Sequence, residues 1–547
     1  MRMTRSAVNR LFFALPALTT FFLTACGGGG SPQPAPTFTI AGTVVKLAGS
    51  GGGLVLQNNG TDQVPVNANG VFQFPTALST GSSYSVTILT QPSSPKQTCG
   101  VVNGSGTITS NVSNIQVDCG HNEWTWMGGS QSFNQIGTYG TLGTPAAGNT
   151  PGGRQSAATW TDKLGNLWLF GGYGHDYAGN LFPLQDLWEY TSGQWAWMGG
   201  PMLSGGSGSY GNLGVASASN LPGSRFEAAS WTDTAGNFWL LGGEGFDSAS
   251  NENVMNDVWE YSNGQWTWTG GSKVAPQNSV YGTLGMSSPG NILGGRDLAS
   301  IWVDASGNLW VFGGLGYAAS NTVNDELNDF WKYDGSAWTW MGGSTSPRQP
   351  GVYGTQGVAA STNIPGARFG ARSWTDASGA FWLFGGTGVN GVNQGVVLND
   401  LWKYSGGQWT WVAGSNLGDV LGVYGTLGVA AANNTPGARQ FAASWNDAAG
   451  NFWLFGGNGA DSTGTFGQLN DLWKYSNGQW TWMSGANVVD QNSNFGTQGT
   501  PGVDTVPGGR SDLSTWVDPS GNLWLFGGWT TIAGGSDNLN DLWMYEP

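Results

Sequence analysis

The chain has 547 residues, of which 94 are glycine and 31 tryptophan, and only 9% are charged. That length exceeds one small hydrophobic core, and the tryptophans exclude Gly-rich disorder, because so many aromatic rings imply packed surface. A formal net charge of −15 argues against nucleic acid and anionic membrane surfaces as partners; it leaves neutral glycans, proteins and cations.

The first segment reads as an export leader. Arg2, Arg5 and Arg10 precede an apolar run from Leu11 to Leu23, too short to span a bilayer comfortably. The run ends in Leu23-Thr24-Ala25-Cys26, which resembles the bacterial lipobox. The resemblance implies that residues 1–25 are a signal peptide and that Cys26 carries lipid. With Gly27 in the next position, it implies retention at the outer membrane, facing either the periplasm or the outside. The membrane is then met only through the anchor. Without the three leader arginines, 15 of the 18 basic residues face 33 acids, a charge of −18. Residues 26–36 (CGGGGSPQPAP) form the anchor and a tether, with Gly for flexibility and Pro for extension.

Residues 37–120 read as a small β-sandwich. Short alternating runs such as Thr39–Leu47, Val71–Phe74 and Tyr84–Leu89 are separated by Asn-Gly turns at Asn59-Gly60 and Asn69-Gly70. The segment resembles the Ig-like spacers of bacterial surface lipoproteins and carries no evident chemistry. Cys99 and Cys119 are the only other cysteines besides Cys26. In an oxidising compartment they are expected to form one disulfide.

From residue 121 onward the chain repeats. Arg154, Arg225, Arg296, Arg368, Arg439 and Arg510 recur every 71 or 72 residues. Each opens a unit of four short Trp-rich strands, a to d: an Ala-Ala-x-Trp-Thr-Asp run, an apolar strand ending in Gly-Gly, an Asp-Leu-Trp-x-Tyr strand and a Trp-x-Trp strand. The a–b turn (Asp-x-x-Gly-Asn) and the c–d turn (Ser-x-Gly-Gln) have tight-turn chemistry. A four-stranded sheet per period is a propeller blade. Gly171-Gly172, Tyr190 and Trp197, with their equivalents, resemble the kelch repeat, although about 20 extra residues separate strand d from the next strand a. The expected fold is all-β: a six-bladed kelch-type β-propeller over 121–547, preceded by the sandwich. The sixth repeat ends at Pro547 without a Trp-x-Trp, while Trp124 and Trp126 precede the first repeat with no blade of their own. Those two tryptophans are therefore expected to close the ring as strand d of the last blade.

Antiparallel order puts the a–b and c–d turns on one face and the long b–c and d–a connections on the other. Function sits more often on loops carried by a rigid scaffold, so the long-loop face is the candidate. The six arginines stand at the strand-a starts on that face. They read either as an anion-binding collar at the channel mouth or, preferably, as internal bidentate partners of the recurrent Asp186, Asp257, Asp329, Asp400, Asp471 and Asp541. Residues that break the repeat are better ligand-binding candidates. Trp529 is the one Trp outside the lattice; its counterparts include Tyr173 and Glu244. Glu227, Asp297 and Asp512 are acids near strand-a starts without counterparts in most repeats. Aromatic and carboxylate groups around a shallow mouth suit a sugar.

Histidine is nearly absent: His121 and His175 are the only two. No Ser-His-Asp set and no cysteine nucleophile is available in the repeats, and no catalytic residue is assigned. Galactose oxidase also carries kelch repeats, but its copper needs two His and a Tyr crosslinked to Cys, which residues 123–547 do not supply. No metal site and no cofactor is expected. The expected function is recognition of a glycan or protein by a monomeric envelope lipoprotein. The alternative is a carbohydrate-active enzyme resembling the exported, six-bladed sialic-acid mutarotases.

Overall fold

The computed structural model describes residues 35–47, 53–93, 97–120, 122–320, 324–532, 535 and 537–547. Cys26 and the leader lie outside them. Every regular element is a β-strand, and no helix among the described residues is long and apolar enough to cross a membrane.

The described residues of 37–119 build a two-stranded sheet, Thr37–Phe38 with Leu78–Ser79, and two four-stranded ones. One runs Gly70–Gln73, Ile40–Val45, Val112–Cys119, Cys99–Val102; the other runs Asp62–Val66, Leu54–Asn58, Ser83–Thr90, Ser105–Thr107. Alternation places Val44, Leu56, Phe72, Val86 and Val117 in one core between them. Val112–Cys119 pairs in parallel with Ile40–Val45. Cys99 and Cys119 stand opposite each other on adjacent antiparallel strands and form a disulfide.

The repeats form antiparallel sheets of four or five strands. The first runs Ala158–Thr161, Leu167–Phe170, Leu187–Thr191, Gln194–Gly199, which are strands a to d in order. Each strand a touches the strand a of the next repeat, and Ala158–Thr161 also touches Ser514–Val517 of the sixth, so the inner strands form a closed circle. The sixth sheet takes its outer strand from the other end of the repeat region: Glu123–Gly128 pairs with Leu542–Glu546, placing Trp126 opposite Trp543. The result is a multi-bladed propeller.

Packing is radial. Six apolar clusters fill the six seams between neighbouring sheets. In three of them the strand-a indole stacks on a Phe of the following sheet: Trp160 on Phe238 at 5.4 Å, Trp302 on Phe381 at 5.4 Å, Trp374 on Phe452 at 5.3 Å. The indole NH of Trp516 reaches the carbonyl of Trp168 at 2.8 Å and so joins the sixth seam to the first sheet.

Two features of the repeat acquire a physical reason. The residues between strand d and the next strand a lie against the outer strand, through bridges such as Ala146 to Trp195 and Ala360 to Trp409; they cover an edge that would otherwise present unpaired backbone. The Gly-Gly pair marks a crossing of chains. Gly171 and Gly172 have φ of 66° and 95°, and a Cβ on Gly171 would sit 2.6 Å from the carbonyl of Arg225 in the next repeat. Only glycine admits both the left-handed backbone and that approach.

Candidate functional site

The six repeated arginines are not open to a ligand. Arg154 donates Nη1 to Asp186 Oδ1 at 2.6 Å and Nη2 to Oδ2 at 2.8 Å, while its Nε and Nη1 also serve the carbonyls of Gly152 and Gly171. The same bidentate pair recurs as Arg225–Asp257, Arg296–Asp329, Arg368–Asp400, Arg439–Asp471 and Arg510–Asp541. Asp186 further accepts from the Trp188 indole and the Tyr139 hydroxyl. Burial pushes the Asp186 carboxyl up, but Arg154 and these donors more than offset it and hold the group below the usual carboxylate range. All six arginines are at most 2% exposed. Of the two readings of Arg154, Arg225, Arg296, Arg368, Arg439 and Arg510, this geometry is that of internal bidentate pairing and not of a collar. Their guanidinium donors are spent on tying the start of strand a to strand c. In the sixth repeat Phe495 stands in place of the Tyr, and Arg510 Nη2 donates to Ser493 Oγ at 3.1 Å.

The mouth of the channel is built two residues further on. Ser156, Glu227, Leu298, Gly370, Phe441 and Asp512 have φ between 51° and 64°. Their backbones form a circle of hydrogen bonds, each amide donating to the carbonyl of the preceding repeat: Glu227 to Ser156 at 3.0 Å, Leu298 to Glu227 at 3.3 Å, Gly370 to Leu298 at 3.1 Å, Phe441 to Gly370 and Asp512 to Phe441 at 3.0 Å, and Ser156 to Asp512 at 2.8 Å. Left-handed φ at five non-glycine residues costs roughly 1 kcal/mol each. It is sustained because the turn aims every N–H along the circle.

Beside this circle lies a cavity of about 120 Å³ on the axis, lined on its polar side by Ser156, Glu227, Arg372 and Asp512 and otherwise mainly by alanines. Burial pushes the Asp512 carboxyl up to about 6, although the Ser511 hydroxyl and the Arg372 charge pull it down. Burial first, then the Asp297, Asp512 and Glu244 carboxylates, raises Glu227 well above the carboxylate range. Burial lowers Arg372, against the pull of Asp512 and Glu227, and its Nε has no hydrogen-bond partner among the described residues.

The other predicted residues stand one position out. Asp297 follows Arg296 directly, and Glu244 is the cross-strand partner of Phe226. One carboxylate oxygen each from Glu227, Glu244 and Asp297 lie within 4.8 Å of one another. Burial and Glu244 raise Asp297; burial and Glu252 raise Glu244. Tyr173 pairs across to Gln155 and rests its ring against Phe226 at 5.3 Å. Trp529 exchanges both backbone hydrogen bonds with Ser511, whose hydroxyl donates to Asp512 at 2.8 Å. Its ring is half-buried and belongs to none of the six seam clusters. Of the six repeat-breaking candidates, Glu227 and Asp512 line the cavity, Glu244 and Asp297 stand beside Glu227, and Tyr173 and Trp529 pair with neighbours of Ser156 and Asp512.

Arg372 was missed. It occupies the strand-a position held elsewhere by Ala158, Ala229, Ser300, Ala443 and Ser514. The rule that singled out the acids and Trp529, a residue differing from its five counterparts, finds it once basic residues are included.

These features define a multi-bladed all-β propeller with a polar, repeat-breaking cavity on its axis. No family model matches the chain, and no curated protein does. Among solved structures, one titled "Structure of YjhT" is similar at 14% identity and a TM-score of 0.41, over 72% of this chain and 95% of that one. A fungal alcohol oxidase of the AA5 family, in complex with copper, is similar at 15% identity and a TM-score of 0.36, over 72% of this chain and 62% of that one.

Proposed function

We propose that the chain is an exported, lipid-anchored protein whose six-bladed kelch-type propeller binds a neutral glycan at the axial mouth of its long-loop face. One observation carries the reading. Beside the six buried Arg–Asp pairs of the scaffold, three residues that depart from the repeat, Glu227, Arg372 and Asp512, line one small polar cavity. Burial favours the protonated forms of Asp512 and Glu227, and a protonated carboxyl donates as well as accepts; Arg372 adds fixed donors, so the cavity suits hydroxyl groups. A volume of about 120 Å³ admits a substituent rather than a whole sugar ring, which fits end-on recognition of a terminal residue. Tyr173 and Trp529, whose backbones pair with Gln155 and Ser511 beside the circle residues Ser156 and Asp512, are the rings we assign to stacking on the sugar. The leader, the lipobox resemblance and the Cys99–Cys119 disulfide support export.

The test is a broad glycan array probed with the purified protein and with Arg372→Met and Trp529→Ala. A defined signal in the wild type that both variants lose supports the site. Silence from folded wild-type protein moves the assignment to a protein ligand on the same face.

A second reading, acid–base catalysis on a sugar, is favoured by one feature: the carboxyl of Asp512, at about 6, lies beside a cation in the same cavity. Accelerated exchange of sugar anomers, followed by NMR and lost in Asp512→Asn, would support it.

A further inference from the structure

We propose that Glu227, Glu244 and Asp297 form a calcium site at the seam between the second and third sheets. The three side chains come from separate segments. Glu227 holds a left-handed position in the channel circle, Glu244 lies on Phe238–Phe246, and Asp297 ends the two-residue strand Arg296–Asp297. Register in the two sheets brings them together.

Geometry and charge agree. Ligands at 2.3–2.6 Å from one ion stand at most about 5 Å apart, and the three carboxylate oxygens fall within 4.8 Å of one another. Several other acids of the propeller have cationic partners, six with the repeat arginines, Asp325 and Glu326 with Arg348 and Asp376 with Lys403, while Asp176 and Asp247 are satisfied by amide and hydroxyl donors. Among the described residues, neither Glu244 nor Asp297 forms an ion pair. A separate observation points to a missing ligand. Asp297 is 3% exposed, yet its Oδ1 is buried without a hydrogen-bond partner, a costly arrangement for a carboxylate. The donor set is entirely hard oxygen, which favours calcium over zinc or copper.

Two acidic segments that look comparable in the sequence are already satisfied. Asp247 accepts from the amides of Ala249, Asn251 and Ala275 and from the Asn251 side chain. Asp325 and Glu326 are neutralised by Arg348.

The inference does not depend on glycan binding. The full-length protein, treated with EDTA and dialysed, would be titrated with CaCl₂ while its melting temperature and Trp-sensitised terbium emission are followed. The expected result is a saturable rise in melting temperature and calcium-displaceable terbium emission, weakened about tenfold or more in Asp297→Asn and unchanged in Asp419→Asn, a loop acid outside the cluster. If Asp297→Asn does not fold, Glu244→Gln must show the same loss. A wild type that does not respond to 10 mM calcium, or a response that survives both substitutions, overturns the assignment.

Discussion

The amide of Ser156 donates to the carbonyl of Asp512 at 2.8 Å, and the Ser156 hydroxyl reaches toward the Asp512 carboxylate at 3.4 Å across 356 residues of sequence. This contact closes the backbone circle at the channel mouth. It also brings a side chain of the first repeat to the most titratable group of the last. Ring closure and the axial cavity therefore share residues.

Closure at the rim rests on Trp124, which is fully buried and packs against Phe455 and Tyr545, both at 5.1 Å. Trp124→Ala is expected to cost about 3–5 kcal/mol. Guanidinium denaturation should show an earlier midpoint for the whole propeller, since the strand it weakens joins the two ends. An unchanged midpoint would mean that the inner circle alone holds the ring.

The Arg–Asp pairs predict an asymmetric mutational response. Asp400→Asn leaves the Arg368 charge buried and uncompensated, and should cost about 3–5 kcal/mol. Replacing both, as Arg368→Met with Asp400→Leu, should recover a large part of that loss, though the Tyr353 hydroxyl and Trp402 indole that donate to Asp400 lose their acceptor. A double-mutant cycle in urea reads the difference. A double variant no better than Asp400→Asn contradicts the account.

Stability should rise on mild acidification. Asp512 titrates near 6 in the folded chain, against about 3.9 unfolded. The folded state therefore binds the proton more tightly. Its contribution is fully present below about pH 4 and is lost as pH rises through 6. The groups facing it are Ser511, Ser156, Arg372 and Glu227; Glu227 is also raised, and Arg372 opposes the effect. Between pH 7 and pH 5 the wild type should gain on the order of 1 kcal/mol from this group, with a shallower profile in Asp512→Asn. Parallel profiles of urea midpoint against pH would rule Asp512 out as the source.

Reduction should act locally. The Cys99–Cys119 bridge closes a loop with a sequence separation of 20, worth about 3 kcal/mol, and it lies in the N-terminal sheets. Dithiothreitol is expected to lower their unfolding transition and leave the Trp fluorescence transition of the repeats in place. A shift of both transitions would show that the two parts unfold together.

Much of the architecture is written in the period of the sequence. Recurrences of Arg, Gly-Gly, Asp-x-Trp and Trp-x-Trp prescribe closely similar local structures, because each motif settles its own strand, turn or crossing by short-range sterics and hydrogen bonding. The Trp124 and Trp126 strand, which precedes the first repeat, pairs with Leu542–Glu546 of the last. What only the tertiary structure decided is which exceptions meet. Glu227, Glu244 and Asp297 are separated by 17 and 53 positions, and Asp512 reaches their neighbourhood only because the circle brings the sixth repeat beside the first. Arg372 looks like an ordinary polar substitution on a strand until the axis places it beside two carboxylates. Local pattern determines each sheet, but convergence at the axis depends on the register between sheets and the closure of the ring, and neither is encoded in any one repeat.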